Sequence, residues 1–569
     1  MPTKDNILIG QVLIDEGIIT QEQLEAGLKE QQKCQDLICT TLVKLGFASE
    51  EKVFNALSRH LNIPYIKLKN LDIDSLIIQK VPAKFASHYK IIPVEFKDNY
   101  LIIAMADPLD IRTLDDIRLL LGIEVKGVLA SESEIQEAIH KYYGVGAETL
   151  EKMVAQKAAG EEKTPVMGKI EDLGALAEDA SIIKFVNQIL SEAVKEKATD
   201  VHLEPFQDEL RTRFRIDGML YDINIPDTIK YFHPVIISRI KIMSGLNIAE
   251  RRLPQDGRIK IKINEQELDL RVSVMPTIFG EAVQIRILSP SSFLELKKLG
   301  FSKDGLNIIE NVLKKPHGII FVTGPTGSGK STTLYACLSR INSNDIKIIT
   351  VEDPVEYQLR GVNQIQINPQ IGLTFATVLR HILRHDPDII MVGEVRDYET
   401  AEIAIRAALT GHLVFSTLHT NDAATAVTRL LDMGVEPFLL ASSLECLIAQ
   451  RLVRLICPKC KMPVKATQEI LEELKGINFD AAKAEFYEGK GCEACRFTGY
   501  SGRTSINETL TVTQNIRDMV LRRAPSQQIK QKAVSEGMRT LRQDGLEKVL
   551  KGLTTITEVM RVTQEEELP

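Results

Sequence analysis

The sequence predicts an α/β protein of several domains, the largest built on a mainly parallel sheet with helices on both faces. Three observations carry that reading. The chain has 569 residues, more than one hydrophobic core serves well, so a modular architecture is expected. From about 295, apolar runs of strand length alternate with helical stretches: Gly318–Thr323, Lys347–Val351, Asp388–Val392 and Leu413–Thr417. That is the grammar of βα units in a sheet covered on both sides. One of these runs feeds a glycine-rich turn, Gly324-Pro325-Thr326-Gly327-Ser328-Gly329-Lys330-Ser331, which opens a helix.

Composition narrows function mostly by exclusion. With 44% hydrophobic and 26% charged residues, and 70 basic against 77 acidic side chains for a net charge of −7, the chain does not advertise nucleic acid as a partner. It has no long uncharged apolar run of the kind a bilayer span needs, and its start, MPTKDNILIG, lacks the pattern of a secretory signal. A cytoplasmic protein is expected, associated with a membrane only through partners.

Residues 1–60 contain a repeat that slides onto itself by 29 positions, pairing Ile9 with Ile38, Leu13 with Leu42, Gly17 with Gly46, Leu24 with Val53 and Leu28 with Leu57. Each copy reads as two short helices joined near the glycine. Residues 61–145 change to short apolar runs, Ile91–Val94 and Leu101–Ala104 among them, between helical stretches, a small α/β unit. Residues 146–180 are rich in Ala, Glu, Lys and Gly with weak apolar periodicity, the composition of a linker with helical tendency. Residues 181–290 begin with a helical stretch and continue with period-two runs at Leu210–Arg215 and Leu268–Val274, a second compact α/β domain. Residues 295–569 form the parallel-sheet domain, with a cysteine-bearing insert at about 455–505 and a charged, helical C-terminal segment over 506–569.

The turn after Ile319–Val322 has the spacing and the strand-to-helix context of a phosphate-binding P-loop. Its glycines let successive N–H groups converge on phosphate oxygens, and the helix adds its positive dipole end. Gly324, Pro325, Thr326, Gly327, Ser328, Gly329, Lys330, Ser331 and Thr332 are the expected nucleotide-binding residues, with Lys330 on the β/γ-phosphates and the Ser331 hydroxyl on Mg²⁺. Hydrolysis also needs carboxylates for metal and water. Two strands deliver candidates: Ile348–Val351 leads to Glu352, Asp353 and Glu356, and Ile389–Val392 leads through Gly393 to Glu394. Glu394 is the first choice for positioning water, with Asp353 and Glu356 assisting; the alternative is that these acids are solvated caps or ion-pair partners of Arg396 and Arg406. His412 and His419 bracket Leu413–Thr417, and His419 is placed either to sense a γ-phosphate or as a satisfied structural histidine.

Four of the eight cysteines form two Cys-x-x-Cys pairs, Cys457/Cys460 and Cys492/Cys495. Two such knuckles offer four thiolates to a closed, structural zinc site; a redox dithiol or a relic of a site are the competing readings.

Together the P-loop, Ile349–Glu356, Gly393-Glu394-Val395-Arg396-Asp397 and the two-histidine segment Gly411–Thr420 resemble the four nucleotide-site boxes of the type II/IV secretion ATPases. Asp200–Pro205, Arg213–Gly218 and Leu253–Arg258 resemble that family's preceding domain. The resemblance implies a RecA-like ATPase domain preceded by a small PAS-like α/β domain, a hexameric ring, and ATP held between the small domain of one subunit and the P-loop domain of the next. It implies arginines supplied in trans, for which Arg213, Arg215, Arg258, Arg271 and Arg286 are the candidates. The long N-terminal region and the four cysteines match the pilus-assembly branch, with type II secretion as the rival. The partners implied are an inner-membrane platform protein and its associated cytoplasmic ring proteins, at the inner membrane face. The N-terminal repeat resembles a cyclic di-GMP-binding repeat, but Leu8 and Leu37 stand where that motif carries arginine, Cys39 replaces Gly and His60 replaces Gln. Packing or partner docking is therefore expected there, with cyclic di-GMP as the alternative. Two other functions compete with the motor: a nucleotide-gated scaffold, which Lys330 and Glu394 argue against, and a DNA-pumping motor, which the missing basic, aromatic stripe argues against.

Overall fold

The computed structural model describes residues 4–34, 38–107, 110–151, 153, 179–263, 266–288, 295–465 and 485–563. The chain divides into two compact units, 1–287 and 288–569. The division lies beside the boundary expected between 181–290 and 295–569, and the first unit holds both 1–145 and 181–287. Leu150 and Met153 are buried among the core residues of the following α/β region, so the start of the expected linker is packed structure. The rest of that segment, 154–178, lies outside the described residues.

The first unit opens with helices Lys4–Asp15, Gln21–Cys34, Ile38–Lys44 and Glu50–Leu61, two per copy of the repeat as the periodicity predicts. Gly17 and Gly46 each follow the first helix of their copy at φ 69° and 73°, a conformation that L side chains avoid. Leu13 and its counterpart Leu42 are fully buried. A three-stranded sheet follows, in the order β1 (Ile91–Lys97), β2 (Tyr100–Met105), β3 (Glu124–Leu129).

The helix Ala180–Lys195, capped by the Asp179 carboxylate on the Ser181 N–H, leads into a six-stranded sheet. Its strands are β4 (Asp200–Pro205), β5 (Leu210–Ile216), β6 (Met219–Asp222), β7 (Gln255–Ile263), β8 (Gln266–Thr277) and β9 (Gly280–Leu288), in the order β6-β5-β4-β9-β8-β7. Val201, Leu203, Phe214, Leu270, Val272 and Ile285 point from this sheet into a core shared with Phe185, Ile189 and Ile236. The residues alternating with them face the other way.

The second unit is built on β10 (Gly318–Thr323), β11 (Ile348–Glu352), β12 (Val362–Gln366), β13 (Ile389–Val392), β14 (Leu413–Leu418), β15 (Leu444–Ile456) and β18 (Tyr500–Thr511), in the order β12-β11-β13-β14-β10-β15-β18. All neighbours run parallel except β18, which is antiparallel to β15. Every residue of β10 and β14 is buried, because helices cover both faces. Ile319 and Phe321 pack to one side with Ile405 and Val427, while Ile320 and Val322 pack to the other with Leu334 and Phe415. A hairpin pair, β16 (Lys461–Val464) with β17 (Phe486–Gly489), carries the cysteine region. The helical reading of 506–569 is corrected at its start. Residues 506–511 complete β18, and helices begin only at Gln514. The charged Glu508 masked this strand; it is fully buried, and its Oε1 accepts the Ala423 N–H at 2.9 Å.

Candidate functional site

β10 ends at Thr323, and the chain turns through Gly324, Gly327 and Gly329 at φ 147°, 79° and 89° into the helix Lys330–Ile341. Residues with a Cβ do not follow that path without strain, which is why the motif needs glycine here. The Lys330 ammonium folds back onto the loop, donating to the Gly324 carbonyl at 2.7 Å and the Pro325 carbonyl at 3.1 Å. Burial pushes its pKa down to about 8; Glu394 pulls it up and Arg451 pushes it further down. Ser331 lies exposed on the first turn of the helix, beside the N-terminal N–H groups. Three glycines at positive φ, an ammonium and a hydroxyl at one helix N-terminus are a donor set that fits a polyphosphate and its Mg²⁺.

Because the strands are parallel, β11, β13, β14 and β10 end at the same edge. Glu394, a buried residue, follows β13 and forms an ion pair with Arg396 Nη2 at 2.5 Å, with His419 Nε2 3.4 Å from its other carboxylate oxygen. The structure thereby brings Lys330, Glu394 and His419 together. His412 does not join them. It sits at the opposite end of β14, its Nδ1 2.9 Å from the Ala407 carbonyl.

Gly393, where an Asp is the commoner choice, has a physical reason. A Cβ there would stand 3.2 Å from the Val351 carbonyl oxygen and 3.3 Å from Glu352 Cα, so a side chain would press β13 off β11. The Gly393 N–H donates to that same Val351 carbonyl at 2.7 Å, and the Thr417 hydroxyl donates to the Gly393 carbonyl at 2.7 Å.

The acids after β11 divide by environment. Glu352 is buried and is a structural node: it accepts from the Tyr335 hydroxyl, from Thr350 at 2.5 Å and from Gln364 at 3.1 Å. Asp353 is exposed at the edge, and Glu356 is half-buried, its N–H donating to the Tyr335 oxygen at 3.2 Å. Sequence reasoning passed over Tyr335, which ties the P-loop helix to this acidic loop. A tyrosine within an otherwise small and apolar helical run was the available signal.

In the first unit, the five candidate arginines share the face of the six-stranded sheet opposite the core. Arg213 pairs with Glu204 at 2.6 Å, Arg286 with Asp200 at 2.9 Å, Arg215 donates to the Gly218 carbonyl at 2.9 Å, and Arg258 lies directly across from Arg271. Burial alone would raise the Asp200 carboxyl, but hydrogen bonds from Arg286 and Thr199 hold it below the usual carboxylate range.

The four cysteines converge, all ligand atoms lying within 4.8 Å of one another. The Sγ atoms of Cys457 and Cys492 are 3.8 Å apart, those of Cys460 and Cys495 3.7 Å, and those of Cys492 and Cys495 3.7 Å. A tetrahedron with metal–sulfur bonds of about 2.3 Å has edges of about 3.8 Å, so the spacing fits zinc. The Cys492 and Gly499 N–H groups point at Cys495 Sγ from 3.2 and 3.3 Å. Against the opposing effect of burial they hold that thiol near 7, while burial and the neighbouring thiols hold Cys460 up at about 12.

A family model for type II/IV secretion system proteins matches residues 175–561. The chain belongs to the type II/IV secretion system protein family. A second model, the MshEN domain, matches residues 61–149. Among relatives of this secretion family, the chain is 45% identical to the type IV pilus assembly ATPase PilB of Myxococcus xanthus, over 97% of this chain and 98% of the relative. It is also 45% identical to the type II secretion system protein E of Xanthomonas campestris pv. campestris, over 92% of each. The X-ray structure of the Yersinia pseudotuberculosis ATPase DotB shares the fold at TM-score 0.51 and 21% identity, over 71% of this chain and 98% of that one. The RecA-like α/β architecture expected from the motifs is thus that of the family. Among the described residues, no helix is long and apolar enough to cross a membrane. The side chains of Leu8 and Leu37, on which the cyclic di-GMP reading turns, lie outside the described residues.

Proposed function

We propose that the chain hydrolyses ATP to drive type IV pilus assembly, working as a homo-hexameric ring on an inner-membrane platform protein and its cytoplasmic ring partners. The observation that supports this most is the 45% identity to a pilus assembly ATPase over nearly the full length of both chains. In this reading Gly324–Thr332 cradle the phosphates, Lys330 leaves the loop carbonyls for the β/γ-phosphates, and His419 reports the γ-phosphate. Glu394, released from Arg396 and His419, orients the attacking water, with Asp353 and Glu356 assisting at the same edge. Mg²⁺, when bound, would screen the phosphate charge, and the Ser331 hydroxyl is the group that would hold it. Arg213, Arg215, Arg258, Arg271 and Arg286 are the pool from which another subunit completes the site. Closure of one site then moves its neighbour, which converts chemistry into displacement. Residues 181–290 act as the arginine-bearing domain, 295–569 as the motor with a structural zinc on Cys457, Cys460, Cys492 and Cys495, and 1–145 as a regulatory and docking region. The ring works in the cytoplasm at the inner membrane face.

The 45% identity to a type II secretion protein favours a second reading, a motor for secretion. A gene deletion complemented with wild type or Lys330→Ala separates them. The pilus reading expects surface pili restored by wild type alone, with protein secretion unaffected; loss of secretion with pili intact would replace it with the second.

A further inference from the structure

The geometry points to Gln450 as a positioning residue of the phosphate-binding loop: its side-chain amide fixes the direction in which the Ser328–Gly329 peptide presents its N–H. This rests on the reading of Gly324–Ser331 as the phosphate site.

Gln450 follows Ala449, which is registered against Thr323 at the end of β10, so it stands level with the point where the loop leaves the sheet. It is 3% exposed, and both ends of its amide are used. Nε2 donates to the Ser328 carbonyl at 2.8 Å, and Oε1 accepts from the Thr333 hydroxyl at 2.7 Å. The Ser328 carbonyl only accepts, so the NH₂ end must face it, and this assigns the amide's orientation. A trans peptide is planar, with its C=O and N–H pointing opposite ways. Holding the Ser328 carbonyl on Gln450 therefore turns the Gly329 N–H away from β15, to join the free N–H groups at the start of the helix. Those groups are the ones that take up phosphate oxygens.

The loop is also packed directly on this residue. A Cβ at Gly324 would lie 2.5 Å from the Gln450 carbonyl oxygen, and one at Gly329 would lie 2.7 Å from Gln450 Nε2. Two glycines of the motif thus serve contact with Gln450 as well as backbone conformation. Thr333, fully buried on the helix, closes the clamp, so loop, helix and β15 are joined through one amide.

The test is ADP affinity of the full chain, with ATP kinetics beside it. Gln450→Met keeps the length and removes both hydrogen bonds. It strands the Ser328 carbonyl and the Thr333 hydroxyl, so it is expected to lower the nucleotide-free thermal midpoint by a few degrees and, beyond that, to weaken ADP binding at least about tenfold and to raise KM for ATP more than it lowers kcat. Gln450→Glu keeps the Thr333 bond but sets a carboxylate oxygen against the Ser328 carbonyl, and is expected to bind ADP no better than the Met variant. A purely structural glutamine would lower the midpoint and leave the ADP Kd unchanged, and that result overturns the proposal. Should Gln450→Met fail to fold, Thr333→Val decides. A loss of about two- to fivefold in ADP affinity supports the clamp, and wild-type affinity overturns it. Lys330→Ala tells the two levels apart: if it abolishes ADP binding while Gln450→Met binds normally, only the role of Gln450 falls. Unchanged binding in Lys330→Ala brings down the phosphate-site reading itself, and this inference with it.

Discussion

Replacing Tyr335 by Phe removes a single oxygen from a site where water has no access, since both Tyr335 and Glu352 are buried. The ring stays, with its edge-on contact to Tyr357 at 4.4 Å between centroids, so packing is preserved. What is lost is the donor to Glu352 and the acceptor of the Glu356 N–H at 3.2 Å. Glu352 keeps Thr350 and Gln364 on its other oxygen. Losing one bond to a buried carboxylate and stranding one backbone N–H amounts to about 2–4 kcal/mol. At roughly 2 °C per kcal/mol for a unit of this size, the melting transition of 288–569 drops by about 4–8 °C. The acidic loop also loses its tie to the P-loop helix, so Asp353 and Glu356 are held less well and kcat falls about tenfold, in the range of a positioning loss. Thermal melts and steady-state phosphate release on the same preparation measure both. A midpoint and a kcat indistinguishable from wild type would refute the account of this network.

Three further outcomes follow from other parts of the molecule. Cys457→Ser and Cys492→Ser are each expected to lower both bound zinc, read by metal analysis, and the thermal midpoint; unchanged metal content contradicts the site. Glu558, 1% exposed, accepts from Arg454 Nη2 at 2.8 Å and Arg561 Nη2 at 2.7 Å. Burial alone would raise its carboxyl, but these bonds hold it below the ordinary value of 4.5. Its contribution is thus complete above the unfolded value and is lost as pH falls through the folded one. The stability gap between wild type and Glu558→Gln, about 3–5 kcal/mol at neutral pH, should narrow on acidification below about 4.5, and a gap that widens would reverse the sign. Calorimetry of cyclic di-GMP with the full chain should show no binding tighter than about 10 μM, or −7 kcal/mol; tighter binding would make the N-terminal repeat a ligand site.

Much of the motor's framework was readable because β10, β11, β13 and β14 are apolar runs buried on both faces, and the glycine spacing after β10 has few other uses. The N-terminal repeat was readable for a similar reason, since Leu13 and Leu42 recur with Gly17 and Gly46 at fixed intervals. β18 was missed because polar residues on it, Ser505, Asn507 and Glu508, are buried, where the Ser505 hydroxyl donates to the Leu299 carbonyl, the Asn507 N–H to Asp544 and the Ala423 N–H to Glu508, partners distant in sequence. Tyr335 and Gln450 were missed likewise: the meaning of each depends on partners that only the fold brings near. That Leu150 and Met153 pack into the core of the following α/β region was hidden by the linker-like composition around them. Gly393 was legible as a departure, and its cause, the close approach of β13 to β11, was not.

Glu394→Gln tests, with the least change of shape, the proposal that Glu394 at the end of β13 serves hydrolysis rather than binding. ATP binding and ATP turnover measured on the same purified protein should separate, with affinity kept and turnover lowered by about a hundredfold or more. Turnover at the wild-type rate in that variant would contradict the account.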